Sequence, residues 1–195
     1  MRIKLLIICA LLNIAHAFSQ TGEEPTIVNE VLQVQFIGNF QGKTKQDIFN
    51  SIQNFINDWN SAAVDESMDK LSTKKKIKTE HANLEEGVAT YNGKLFLGSR
   101  TDIAWAYITE ANFTLDIKIK DNAALVTMKI PSFVYWANKF YHVYPTTEVL
   151  PKVTTKKHLY KDKKNLSEYG QLAPQKMKEF INALQNSINS KAIDF

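Results

Sequence analysis

Hydrophobic positions recur along this chain with two periods, and the switches between them outline its elements. Ile48, Phe49, Ile52, Phe55, Ile56 and Trp59 fall at 0, +1, +4, +7, +8 and +11, which is one stripe of a 3.6-residue helix. Thr44 and Asp47 make a capping pair at its start, with Asp a weaker partner than Glu or Gln would be. Met177, Phe180, Ile181, Leu184 and Ile188 draw a second helical stripe, and Pro174 suits its first position. Between the helices the period is two. Phe113, Leu115, Ile117 and Ile119 alternate with Thr114, Asp116, Lys118 and Lys120, a strand with one buried and one wet face. Asp121-Asn122 turns the chain, and Leu125 to Ile130 returns as the partner strand, which Pro131 is expected to end.

Two further β regions are weaker. Val31 to Phe36 reads as a first strand, closed by a turn over Gly38 to Gly42. A second region runs from about Glu86 to Gly98. Inside it, Asn92-Gly93 is a strong hairpin signal, and one long strand kinked at the glycine is the rival reading. Residues 60–82 are polar and lysine-rich and read as a short helix or a ragged connection. Strands run consecutively rather than alternating with helices, so the expected class is α+β: an antiparallel sheet packed against two amphipathic helices.

The start of the chain changes the picture. Arg2 and Lys4 precede an apolar run from Leu5 to Ile14, and Ala15-His16-Ala17 offers small residues at a cleavage site. This is the pattern of a secretory signal peptide, and the run is too short for a spanning helix. Residues 1–20 are therefore read as the signal, cut after Ala17 or Gln20, with a flexible leader at 21–30 and one domain at 31–195. Cys9 is the sole cysteine and lies in the signal, so neither a disulfide framework nor a thiolate metal site is expected. The 24 Lys and Arg against 20 Asp and Glu give +4, and removing Arg2 and Lys4 lowers this to +2. So small an excess argues against nucleic acid as a partner. The expected location is periplasmic or extracellular.

Candidate chemistry is sparse. His81 with Glu85 would share one side of a helix, but no His-Glu-x-x-His string accompanies them, and no ligand spacing links His142 or His158 to other groups. No nucleophile elbow or phosphate loop occurs. Asp102, Glu110 and Asp116 could pair as the carboxylates of a glycoside hydrolase. No cofactor or metal is expected. The lysines at 74–78 and 156–164 form solvated flanks or an anion-facing surface. From Pro131 to Pro151 the chain is rich in aromatics, within an insertion spanning about 131–164. Phe133, Tyr135, Trp136, Tyr141 and Tyr144 are the candidate ligand- or partner-binding residues, since such rings give large contact area with few rotatable bonds. The competing reading places these rings in the core.

Several of these features together resemble the secreted bacterial proteins of domain-of-unknown-function family 4468. They are the signal ending in Phe18-Ser19-Gln20, the Thr44 to Trp59 helix, Glu86-Gly87-Val88 opening a strand, the Ile117 to Asp121 hairpin strand, and the amphipathic last helix. The resemblance implies a TBP-like fold and favours the single kinked strand at Gly93. It implies no activity. A TBP-like fold does not carry DNA binding with it. The expected function is a non-catalytic binding or envelope-associated module using an aromatic-rich surface, whose partner is an envelope protein, a polysaccharide or a lipid. The alternatives are a hydrolase of envelope or extracellular glycans or peptides, and a structural domain of an envelope complex.

Overall fold

The computed structural model describes residues 24–65, 77–101, 106–137, 140–150, 166 and 168–190. The expected signal peptide, Asp102, Trp105, His158 and the lysine clusters apart from Lys78 lie outside the described residues.

Seven strands form one sheet in the order β1-β2-β6-β5-β4-β3, with β7 pairing β6 off that path. They are β1 (Thr26–Val28), β2 (Val31–Asn39), β3 (Lys78–Asn83), β4 (Val88–Thr101), β5 (Ala106–Lys120), β6 (Ala123–Ala137) and β7 (Phe140–Pro145). Every pairing is antiparallel. The helices are α1 (Lys45–Asp65), the short α2 (Thr146–Val149) and α3 (Ala173–Asn189).

The order follows from the length of α1. Its 21 residues reach about 30 Å, while the four strand spacings from β2 to β3 come to about 19 Å. The helix therefore carries the chain across the sheet. The β3-β4-β5-β6 meander then walks back until β6 meets β2. Both long helices lie on one face. Ile48, Ile52 and Ile56 of α1 and Met177, Phe180, Ile181, Leu184 and Ile188 of α3 are buried there, as the helical stripes predict. The Phe180 ring meets Phe55, Trp59 and Phe113 at 5.3, 4.9 and 5.4 Å between centroids.

Two local expectations change, and the open choice at Asn92-Gly93 falls as the family resemblance favours. Within the supposed leader, Thr26–Val28 pairs with β2 through a two-residue turn in which Asn29 (φ 49°) and Glu30 (φ 67°) are both left-handed, the geometry of a type I′ hairpin. At Asn92-Gly93 the chain runs straight through as β4, with Gly93 opposite Phe113 on β5. A Cβ at Gly93 would lie 2.6 Å from that ring, so the glycine serves close packing rather than a turn. The second change is that β6 does not stop at Pro131. Proline lacks an N–H, which is harmful only where the ladder needs one. Pro131 is exposed and sits at a register shift against β5, where the other neighbour of β6 changes from β2, ending at Ile130, to β7, starting at Ser132. The Ile130 carbonyl accepts the Thr146 hydroxyl at 2.5 Å instead. The strand thus carries the start of the aromatic stretch with it.

Candidate functional site

The helices cover one face of the sheet, and the pairings fix which side chains line the opposite, open face. At one end stand Ile37, Leu125, Lys118 and Val88 in register; the next row is Gln35, Thr127, Asp116, Thr90 and His81. Then come Gln33, Lys129, Thr114, Asn92 and Lys78. Beyond the register shift follow Pro145, Ser132, Asn112 and Lys94, then Val143, Val134, Glu110 and Phe96, and last Tyr141, Trp136, Ile108 and Ser99.

The middle rows are polar and cross-linked. Lys129 Nζ lies 2.8 Å from Asp116 Oδ2, and Thr90 Oγ1 donates to Asp116 Oδ1 at 3.1 Å. Gln35 donates to Thr127 at 3.3 Å, Thr114 to Asn92 at 2.8 Å and Asn112 to Ser132 at 2.9 Å. An open depression of about 470 Å³ lies over this part, with Gln33, His81, Lys118 and Lys129 on its walls.

The far end is different. Glu110 (1 % exposed), Val134 (3 %) and Ile108 (5 %) are all buried at this end, and two groups satisfy the Glu110 carboxylate. Trp136 Nε1 donates to Oε2 at 3.2 Å, and Lys94 Nζ stands 3.5 Å from the same oxygen. Lys94 also lies 5.6 Å from the centroid of the Trp136 ring, a cation–π distance. Trp136 in turn packs against Tyr141 at 5.1 Å and 36°. A buried carboxylate must be paired, so the indole is held in place from its polar edge while its ring meets Tyr141.

The five aromatic candidates do not converge. Successive strand residues point to opposite faces, and this separates them. Phe133 (0 % exposed) and Tyr135 (2 %) lie in the core and cannot be reached from outside, which corrects their placement among the binding residues. Tyr144 packs against the same core from β7. Trp136 and Tyr141 remain on the open face, Tyr141 at 61 % exposure, with Phe96 and Val143 exposed beside them.

The other candidates are also resolved by register. Glu110 and Asp116 share a face, but six residues of strand separate them by about 20 Å at about 3.3 Å per residue. Paired glycosidase carboxylates stand at most about 9.5 Å apart. These two do not form such a pair. His81 lies on β3 rather than in a helix or loop, exposed at the rim of the depression. His142 is exposed on β7, 6.2 Å from the Tyr144 ring. Among the described residues no group of three His, Cys, Asp or Glu could hold a metal ion. None of the described helices is long and apolar enough to cross a membrane. Lys94 is the residue that sequence reasoning missed: it follows Asn-Gly, and only the β4–β5 register puts it opposite Asn112 and within reach of Glu110.

No protein-family model matches the chain. No curated protein matches it in sequence. Solved structures do match in fold. A DUF4468 family protein from Bacteroides ovatus superposes with a TM-score of 0.59 at 11% identity, covering 88% of this chain and 94% of that one. A TBP-like protein from Parabacteroides distasonis superposes with a TM-score of 0.52 at 17% identity, covering 84% and 99%. In fold, then, the chain is similar to a DUF4468 family protein and has a TBP-like α+β architecture.

Proposed function

We propose that the chain is an exported, non-catalytic binding module that engages its partner with the Trp136–Tyr141 end of the open sheet face. The observation that carries this reading is the locked indole. Trp136 is held from its N–H by the buried Glu110 and faced by Lys94, while the adjacent Tyr141 is in solvent. A ring whose orientation is already fixed loses little freedom on binding, so its contact area is converted to affinity with a small ordering cost. Phe96 and Val143 extend the exposed apolar border around it. Arg2, Lys4, the Leu5 to Ile14 run and Ala15-His16-Ala17 support the export part of the proposal.

The test is acrylamide quenching of the Trp136 component, taken as wild type minus Trp136→Phe, with and without soluble polysaccharides and peptides. The expected result is protection by at least one of them, abolished in Tyr141→Ala. Hydrolysis of any of them, without protection of Trp136, would replace this reading with the hydrolase.

A further inference from the structure

The open face is asymmetric in charge, and the asymmetry names a ligand class. Its described cations are Lys78, Lys94, Lys118, Lys120 and Lys129, since Lys120 lies two residues beyond Lys118 on the same side of β5. The described carboxylates in the paired rows are Asp116 and Glu110, and both are already engaged, by Lys129 and Lys94. Lys78, Lys118 and Lys120 are exposed and have no ion pair among the described residues. Lys118 and Lys120 lie toward the end of the face opposite Trp136, Lys118 on the wall of the depression that also carries His81, and Lys78 stands in the row of Lys129. Between the two ends run Gln33, Gln35, Thr90, Asn92, Asn112, Thr114, Thr127 and Ser132, all amides and hydroxyls.

We infer that this face binds an anionic linear polysaccharide, its carboxylates along Lys78, Lys118 and Lys120 and a sugar ring against Trp136 and Tyr141. The inference rests on the binding reading above and names its ligand. A repeating acid complements the unpaired lysines. Sugar hydroxyls match the middle rows, where each side chain keeps unused donors or acceptors. A protein partner fits less well, because the centres of such interfaces are apolar and depleted in lysine. Single-stranded nucleic acid fits less well too. It requires stacking rings interleaved with phosphate contacts along one track, and here the unpaired cations begin three rows away from Trp136. No described arginine, the side chain that matches phosphate bidentately, lies in these rows, Arg100 standing opposite Tyr107 instead.

The experiment is affinity electrophoresis of the native protein through gels containing polygalacturonate, dextran, poly-glutamate or oligo-dT. Wild type is compared with a Lys78→Gln/Lys118→Gln/Lys120→Gln triple variant and with Trp136→Ala. Near-ultraviolet circular dichroism verifies that each variant is folded. The expected result is retardation by polygalacturonate alone, about tenfold weaker in the triple variant because three exposed ion pairs are lost. Retardation should also fall as salt shortens the screening length, and Trp136→Ala should weaken it independently. Retardation by dextran that only Trp136→Ala removes would overturn the anionic inference and leave the binding module standing. Equal retardation by poly-glutamate or oligo-dT would overturn the polysaccharide assignment in favour of an acidic peptide or a nucleic acid. Retardation by none of them, with Trp136 unprotected in the quenching test, would overturn both.

Discussion

Tyr91 illustrates what a single residue contributes. It is buried on the helix side of β4, and its phenol oxygen accepts the Gln53 amide at 2.7 Å. Burial pushes its pKa up from 10.0 to about 12, against the smaller downward pull of that hydrogen bond. The folded state thus holds the phenolic proton more tightly than the unfolded chain does. Its contribution is whole below pH 10 and is lost as pH rises from 10 to about 12, an effect of about 2–3 kcal/mol. Urea unfolding of wild type and Tyr91→Phe below pH 10 and again near pH 12 should show the wild type losing more stability than the variant. Parallel losses would refute the assignment. Gly87 shows a constraint of another kind. It adopts φ 68°, and a Cβ there would meet the Ile119 carbonyl at 2.2 Å. Its own carbonyl accepts the Ile119 N–H at 2.6 Å, tying the β3–β4 turn to the end of β5. The sequence showed a Glu-Gly opening a strand; the reason for the glycine lies on another strand.

At the scale of elements, α1 shows a helix start that was readable in advance. The Thr44 N–H and hydroxyl both donate to Asp47 Oδ2, at 2.9 and 2.6 Å, and the Asp47 N–H donates back to the Thr44 hydroxyl at 3.1 Å. The bonds from Thr44 hold the Asp47 carboxyl below its ordinary range. A distant contribution was not readable: Asp121, in the β5–β6 turn, accepts the Lys45 N–H at 2.7 Å. Thr44→Ala should cost about 1 kcal/mol in chemical denaturation, with Thr44→Ser restoring most of it. If Thr44→Ala is neutral, Asp121 alone caps the helix. The strands show the opposite balance. Alternation identified the buried side of β5 and the return of β6 to Ile130. The continuation past Pro131 depended on β2 and β7 changing places beside it, and no local pattern encodes that exchange.

Over the whole molecule, α1, α3 and the sheet meet at Phe180. Its ring touches two aromatics of α1 and one of β5. Phe180→Ala should lower unfolding stability by about 3–5 kcal/mol, because the cavity would open where three elements meet and no single one can collapse into it. A loss below about 1 kcal/mol would mean that the helices hold the sheet independently of this contact. The same layering leaves the other face uncovered by any described helix. That face shows how far the site was legible. Trp136 and Tyr141 stood out as aromatics, and Glu110 as one of three carboxylates. That Phe133 and Tyr135 belong to the core, and that Glu110 and Lys94 brace Trp136, follows from strand parity and register alone.

Periodicity by itself determined the two amphipathic helices, the β5–β6 hairpin and the α+β class, because apolar spacing reports which side of a local element is buried. The tertiary structure decided which strands became neighbours, and with them the site. Pairing brings Lys94 on β4, Glu110 on β5, Trp136 on β6 and Tyr141 on β7 together from 48 residues of chain. The Lys94–Glu110 and Glu110–Trp136 contacts join residues 16 and 26 apart in sequence, too far for any local spacing to relate them. A one-residue slip in register would have turned each of these side chains to the opposite face.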